Sequence, residues 1–108
     1  MAEWTLVGAN DLGITTYVDL DTIHKAGNTF KMWSLYDYKI AGAKVLSMKS
    51  WSKYDCEEEQ TITLAYSQFS GNMGAGFLVY SDGNPSKWEP VAPGSIGETE
   101  FKIACSKQ

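Results

Sequence analysis

A chain of 108 residues, 44% hydrophobic and 13% aromatic, fits one folded domain and not a disordered segment. The net charge is −4 and all nine basic residues are lysine, which makes the chain a poor binder of nucleic acid or anionic lipid, since arginine supplies the bidentate grip on guanine and phosphate. No apolar run approaches the about 20 residues that a membrane-spanning helix needs.

Trp4 to Ala9 reads as a first strand, and Asn10-Asp11-Leu12-Gly13 as a turn. Ile14 to Val18 is a β-branched and aromatic second strand. Asp19 to Ile23 reads as a short helical turn, and Gly27-Asn28 breaks the chain. Thr29 to Tyr38 is a strand with Phe30, Met32, Tyr36 and Tyr38 on one face and Lys31, Trp33, Leu35 and Asp37 on the other. Ala41-Gly42-Ala43 makes a loop, and Val45 to Tyr54 is the next strand. Cys56 to Gln68 reads as the longest strand, with Cys56 in phase with Ile62, Leu64 and Tyr66 if no bulge intervenes. After a turn at Ser70-Gly71-Asn72, Gly76 to Ser81 is the last full strand, ended by Asp82-Gly83-Asn84-Pro85.

Trp88 to Val91 is extended by its proline. Ser95 with Glu98 three residues on is a capping box, and the helix runs from Ile96 to Cys105. On the helical wheel Ile96, Phe101, Ile103, Ala104 and Cys105 share a broad apolar face, with Glu98 and Lys102 opposite. Glu100 is the flaw, an acid near the rim of that arc. The expected architecture is α+β: about six mainly antiparallel strands with a C-terminal helix packed on one face.

The two cysteines carry the address. In a cytosolic protein they would be buried thiols. The even count, the absence of a CxxC or Cys/His cluster, and the inward placing of each favour a disulfide between Cys56 and Cys105 and an oxidising compartment. No leader precedes Trp4; an exported chain without its signal and a cytosolic chain both look like this.

Chemistry is scarce. His24 is the sole histidine and reads as a solvated loop residue. Ser50 and Lys53 fit the S-x-x-K string, but that motif needs a helix and lies here in a strand. Glu57-Glu58-Glu59 beside Asp55 reads as a solvated edge, its alternation splitting the acids between faces. Asp19-Leu20-Asp21 lacks the glycine and distal glutamate of a calcium loop. Gly74-Ala75-Gly76 precedes a strand, which disqualifies it as a phosphate cradle. The chain therefore reads as a non-enzyme with no cofactor, catalytic residue or metal site. Two middle strands are apolar on both faces while one helix covers one face. Trp33, Leu35 and Trp51 are thus the candidate exposed aromatic binding face, or a dimer seam, with burial inside the protein as the plain alternative.

Short motifs in a fixed order carry a family resemblance. They are Tyr17-Val18-Asp19, Met32-Trp33-Ser34-Leu35-Tyr36-Asp37-Tyr38, Ser47-Met48-Lys49, Asp55-Cys56, Tyr66-Ser67 with Gly71, Trp88, Pro90, Pro93-Gly94-Ser95 and Ala104-Cys105. Over about residues 4 to 105 the chain resembles the surface-adhesin E family of small bacterial envelope proteins. The resemblance implies an antiparallel sheet with a disulfide-held C-terminal helix, and export to the periplasm, outer membrane or cell surface. It also implies a protein ligand such as host matrix or plasma proteins, and a homodimer. The alternative is a periplasmic structural or stress-related protein that acts by self-association. A small enzyme or ligand carrier ranks last. Where the family pattern places arginine after the cysteine of the long strand, this chain has Glu57-Glu58-Glu59-Gln60, so no binding residue carries over.

Overall fold

The computed structural model describes residues 3–106, so the start at Met1-Ala2 lies outside it. Six antiparallel strands follow one another in chain order across a single sheet: β1 (Thr5–Ala9), β2 (Ile14–Ala26), β3 (Thr29–Tyr38), β4 (Ser47–Asp55), β5 (Gln60–Phe69) and β6 (Leu78–Asp82). A two-residue strand, β7 (Glu89–Pro90), pairs with the start of β5. The helix α1 (Ile96–Cys105) closes the chain. From β1 to β6, neighbouring strands in sequence are neighbours in space, joined by turns and loops without a crossover.

The helix rests on β1 to β4. Between them lies the core: Val18, Phe30, Met32, Tyr54 and Ala104, joined by Val7, Ile23, Phe101 and Ile103. Strand alternation puts Phe30, Met32, Ser34, Tyr36 and Tyr38 on this face of β3, as the period-two pattern requires. The helix begins as the sequence predicts. Ser95 Oγ accepts from the Glu98 amide at 3.1 Å, while Glu98 Oε1 accepts from the Gly94 amide at 3.2 Å. Ser95→Ala removes the cap, and a loss of about 1 kcal/mol in urea unfolding is expected.

Three expectations need correction. Asp19 to Ile23 is not a helical turn, because β2 runs through it as the longest strand, at 13 residues. The turn chemistry is real but local. Asp19 Oδ1 accepts from the Asp21 amide, Thr22 Oγ1 donates to the Asp19 carbonyl, and the register with β3 slips between Asp19 and His24. These residues therefore form a bulge within the strand. His24 consequently sits on a strand opposite Lys31, still exposed.

The second correction concerns β5, which starts at Gln60 rather than Cys56. Residues 56–59 form a turn, with Glu59 in the left-handed region at φ 53°. Asp55 Oδ1 accepts from the Glu57 and Glu58 amides and sets that turn. The three glutamates are exposed on the turn, not alternating along a strand. The register also slips at Leu64, so Ile62 pairs with Lys53 on the face away from the helix while Tyr66 pairs with Ser50 on the helix face. The parity argument that placed Cys56 with Ile62 and Tyr66 therefore fails. The disulfide nonetheless forms: Cys56 and Cys105 are bonded, with Cα atoms 5.7 Å apart, and tie the helix end to the β4–β5 turn.

The third correction is Glu100. It is buried at 4% exposure beneath the helix, not at the rim.

Candidate functional site

Three surfaces concentrate the chemistry of this chain, and strand parity sorts them. The helix face of the sheet carries a buried carboxylate and, beside it, an open groove. The opposite face carries Trp33 and Trp51. The outer edge carries an apolar strand.

Glu100 projects from α1 onto β3 and β4. Ser34 Oγ donates to its carboxylate at 2.8 Å, Tyr36 OH donates to its two oxygens at 3.2 and 3.1 Å, and Tyr54 OH donates at 3.3 Å. No cation pairs with it among the described residues. Burial pushes its pKa above the ordinary glutamate value, and the three hydroxyl donors oppose that rise. Burial, with the nearby Glu100 carboxylate, raises both tyrosines well above their ordinary value, so they stay neutral donors. The wheel flagged the acid as a defect because it saw only the helix. The partners lie 46 to 66 positions away. The signal for them was present: Ser34 and Tyr36 share the helix face of β3, and polar side chains on a core-facing strand call for a polar partner.

Beyond Tyr36, on the part of this face that the helix leaves open, lies a groove of about 590 Å³. Tyr36, Met48, Ser50, Tyr66, Gln68 and Asp82 form much of its lining, and Asn84 to Ser86 form one wall. That wall is held against the β5 bulge, where Ser86 N donates to the Thr63 carbonyl at 2.8 Å and Thr63 N donates to Ser86 Oγ at 3.0 Å.

On the opposite face Trp33 and Trp51 are directly paired across β3 and β4, with ring centroids 5.1 Å apart and planes 29° apart. Both are half-buried. Leu35, expected with them on an exposed face, is 0% exposed and belongs to no open surface. Its cross-strand neighbours are Tyr17 and Lys49. One end of this face is also covered by the loop Ser70–Gly76, which contains a short 3-10 turn at Asn72–Gly74. Asp37 Oδ1 accepts from Asn72 Nδ2 at 3.0 Å and from the Met73 amide at 2.8 Å, and Ser47 Oγ donates to the Gly71 carbonyl. Gly74, at φ 75°, packs so tightly on Lys49 that an added Cβ would lie 2.7 Å from Lys49 Cε. Gly74 thus serves a close approach. The unread signal was Asp37, an acid that follows Trp33 and Leu35 on one face of β3 and is buried there.

The sheet edge β6 shows the largest exposed apolar run, with Phe77 72%, Leu78 54%, Val79 40% and Tyr80 52% exposed. Its inner side pairs with β5, while its outer side has no strand partner among the described residues. Ser50 and Lys53 lie in β4, where their offset of three places them on opposite faces. Among the described residues no three His, Cys, Asp or Glu side chains converge as a metal cage, and no helix is long and apolar enough to cross a membrane.

This geometry has known counterparts. Protein E of Haemophilus influenzae, in its crystal form II, matches with a TM-score of 0.67 at 12% identity, covering 85% of this chain and 80% of that one. A second structure of the same protein matches with a TM-score of 0.67 at 10% identity over 99% and 93% of the two chains. At such identity the likeness shows a shared fold. Comparison with curated protein sequences finds none that matches. The sequence profile of surface-adhesin protein E matches residues 4–106, nearly the whole chain, with both cysteines inside the matched span. This chain belongs to the surface-adhesin protein E family.

Proposed function

We propose that this protein is an exported, non-catalytic binding protein of the bacterial envelope whose ligand is another protein, with host-matrix proteins the first candidates. The observation that carries the reading is the unguarded apolar edge. Natural edge strands are blunted by lysine, proline or a cover, because free N–H and C=O groups invite pairing. Here Phe77-Leu78-Val79-Tyr80 is exposed and uncharged on such an edge. An extended segment of a partner added to β6 would gain main-chain hydrogen bonds and bury apolar side chains together. Trp33 and Trp51 offer a second contact, on the face away from the helix. Glu100, already surrounded by the protein's own hydroxyls, suits a structural post better than an acid–base catalyst.

The test is binding to immobilised matrix and plasma proteins, comparing the wild type with Leu78→Lys and with Trp33→Ser. Saturable binding that falls at least tenfold in Leu78→Lys, with an unchanged circular-dichroism spectrum, is the expected result. The same free edge also suits a second copy of this chain, the self-association reading. A wild type that binds none of the proteins and runs as a dimer, which Leu78→Lys converts to monomer, would replace the first reading with the second.

A further inference from the structure

The groove beside Tyr36 has a chemistry that the protein-binding reading does not use. Its lining contains one carboxylate, Asp82, and no lysine, arginine or histidine. That composition rejects anions. Asp82 has no cation partner among the described residues, and one of its oxygens accepts only the Asn84 amide, at 2.8 Å. The aromatic groups stand close by. Tyr66 is the direct cross-strand partner of Asp82, and its ring lies 6.0 Å from that of Tyr80 at an angle of 43°. The Tyr36 hydroxyl spends its proton on Glu100, so it presents only lone pairs to any other group. The carboxylate of Asp82, the side chains of Tyr36 and Tyr66 and the apolar side chain of Met48 therefore border one open space.

From this we infer that the groove is a binding site for a primary alkylammonium group. The ammonium pairs with Asp82 and the face of Tyr66, and the alkyl stem lies along Met48. The net charge of −4 favours the approach of such a cation. The group can come from a free diamine or from a lysine side chain of a protein. The inference stands on the groove alone and does not require the apolar edge to bind anything.

The experiment is a titration followed by amide and tyrosine ring shifts in two-dimensional NMR. Its probes are 1,5-diaminopentane, a lysine-containing peptide, the same peptide with acetylated lysine, and the uncharged 1,5-pentanediol. The expected result is saturable movement of the Tyr66 and Asp82 signals with the diamine or the lysine peptide. The pentanediol and the acetylated peptide should cause none. Asp82→Asn keeps the oxygen that accepts from Asn84 and should weaken binding at least tenfold. Saturation by the diamine assigns a free amine as a source. Saturation by the lysine peptide alone assigns a protein source. No saturation by either, equal binding of pentanediol, or unchanged affinity in Asp82→Asn would overturn the inference.

Discussion

Breaking the Cys56–Cys105 bond lowers the unfolding free energy by about 4 kcal/mol, as expected for a cross-link closing a loop between residues 49 positions apart. The double variant Cys56→Ala, Cys105→Ala, compared with the wild type in urea, measures the loss. Its physical origin is the freedom returned to the unfolded chain, so the sheet itself should survive. The helix should not be held as well. At ten residues it is too short to persist alone, and it contains Gly97. Its remaining anchors are Phe101, Ile103, Ala104 and Glu100 against β2 to β4. Amide exchange should therefore rise over Ile96 to Ala104 before it rises over β4 and β5. Equal protection of helix and sheet after reduction would show that packing alone holds the helix.

Glu100→Ala is the second large effect, with a loss on the order of 3 kcal/mol expected. The substitution leaves the hydroxyls of Ser34, Tyr36 and Tyr54 without their acceptor in the interior, and each such buried group costs about 1–3 kcal/mol. Relief from burying a carboxylate offsets part of the sum. Glu100→Gln keeps an acceptor oxygen of the same shape and should lose far less. The two variants also separate in pH. The folded-state pKa of Glu100 lies above its ordinary 4.5, because burial disfavours the charged form. Between those two values the folded state holds more protons than the unfolded one, so stability falls as pH rises. The contribution is complete below the ordinary value and is gone once pH passes the folded value. The groups facing Glu100 from β3 and β4 are Ser34, Tyr36 and Tyr54, and the tyrosines stay protonated throughout this window. Urea unfolding from pH 4 to 8 should show this decline in the wild type and not in Glu100→Gln. Parallel curves for the two proteins would mean that Glu100 does not titrate in the fold.

The elements that were legible in the sequence were those with local causes. Alternation gives β3, and the Ser95–Glu98 box gives the helix its first residue. What escaped has non-local causes. The turn residues Asp19 and Thr22 suggested a helix start because their hydrogen bonds look alike in either setting. Only pairing with β3 on the far side of Gly27 turns them into a bulge. The extra residue at Leu64 reverses strand phase, and nothing in a period-two pattern announces it. Cys56 was paired rightly for a reason that did not hold, since the bond reaches the helix from a turn. Of the three residues read as a binding face, Trp33 and Trp51 stack half-buried on the face away from the helix, while Leu35 is sealed. The apolar edge was written plainly as Phe77-Leu78-Val79-Tyr80, yet its meaning depends on β6 being the last strand of the sheet, which is topology and not composition.

The proposed export would tie the disulfide, the family and the proposed binding surfaces together, and one measurement reaches it directly. Protein taken from intact bacterial cells is quenched at once with an alkylating reagent and weighed whole, without reduction. The account predicts that the mass carries no alkyl group, with Cys56 and Cys105 already bonded in an oxidising compartment. A mass increased by two alkyl groups would place the chain in a reducing compartment and contradict an envelope role.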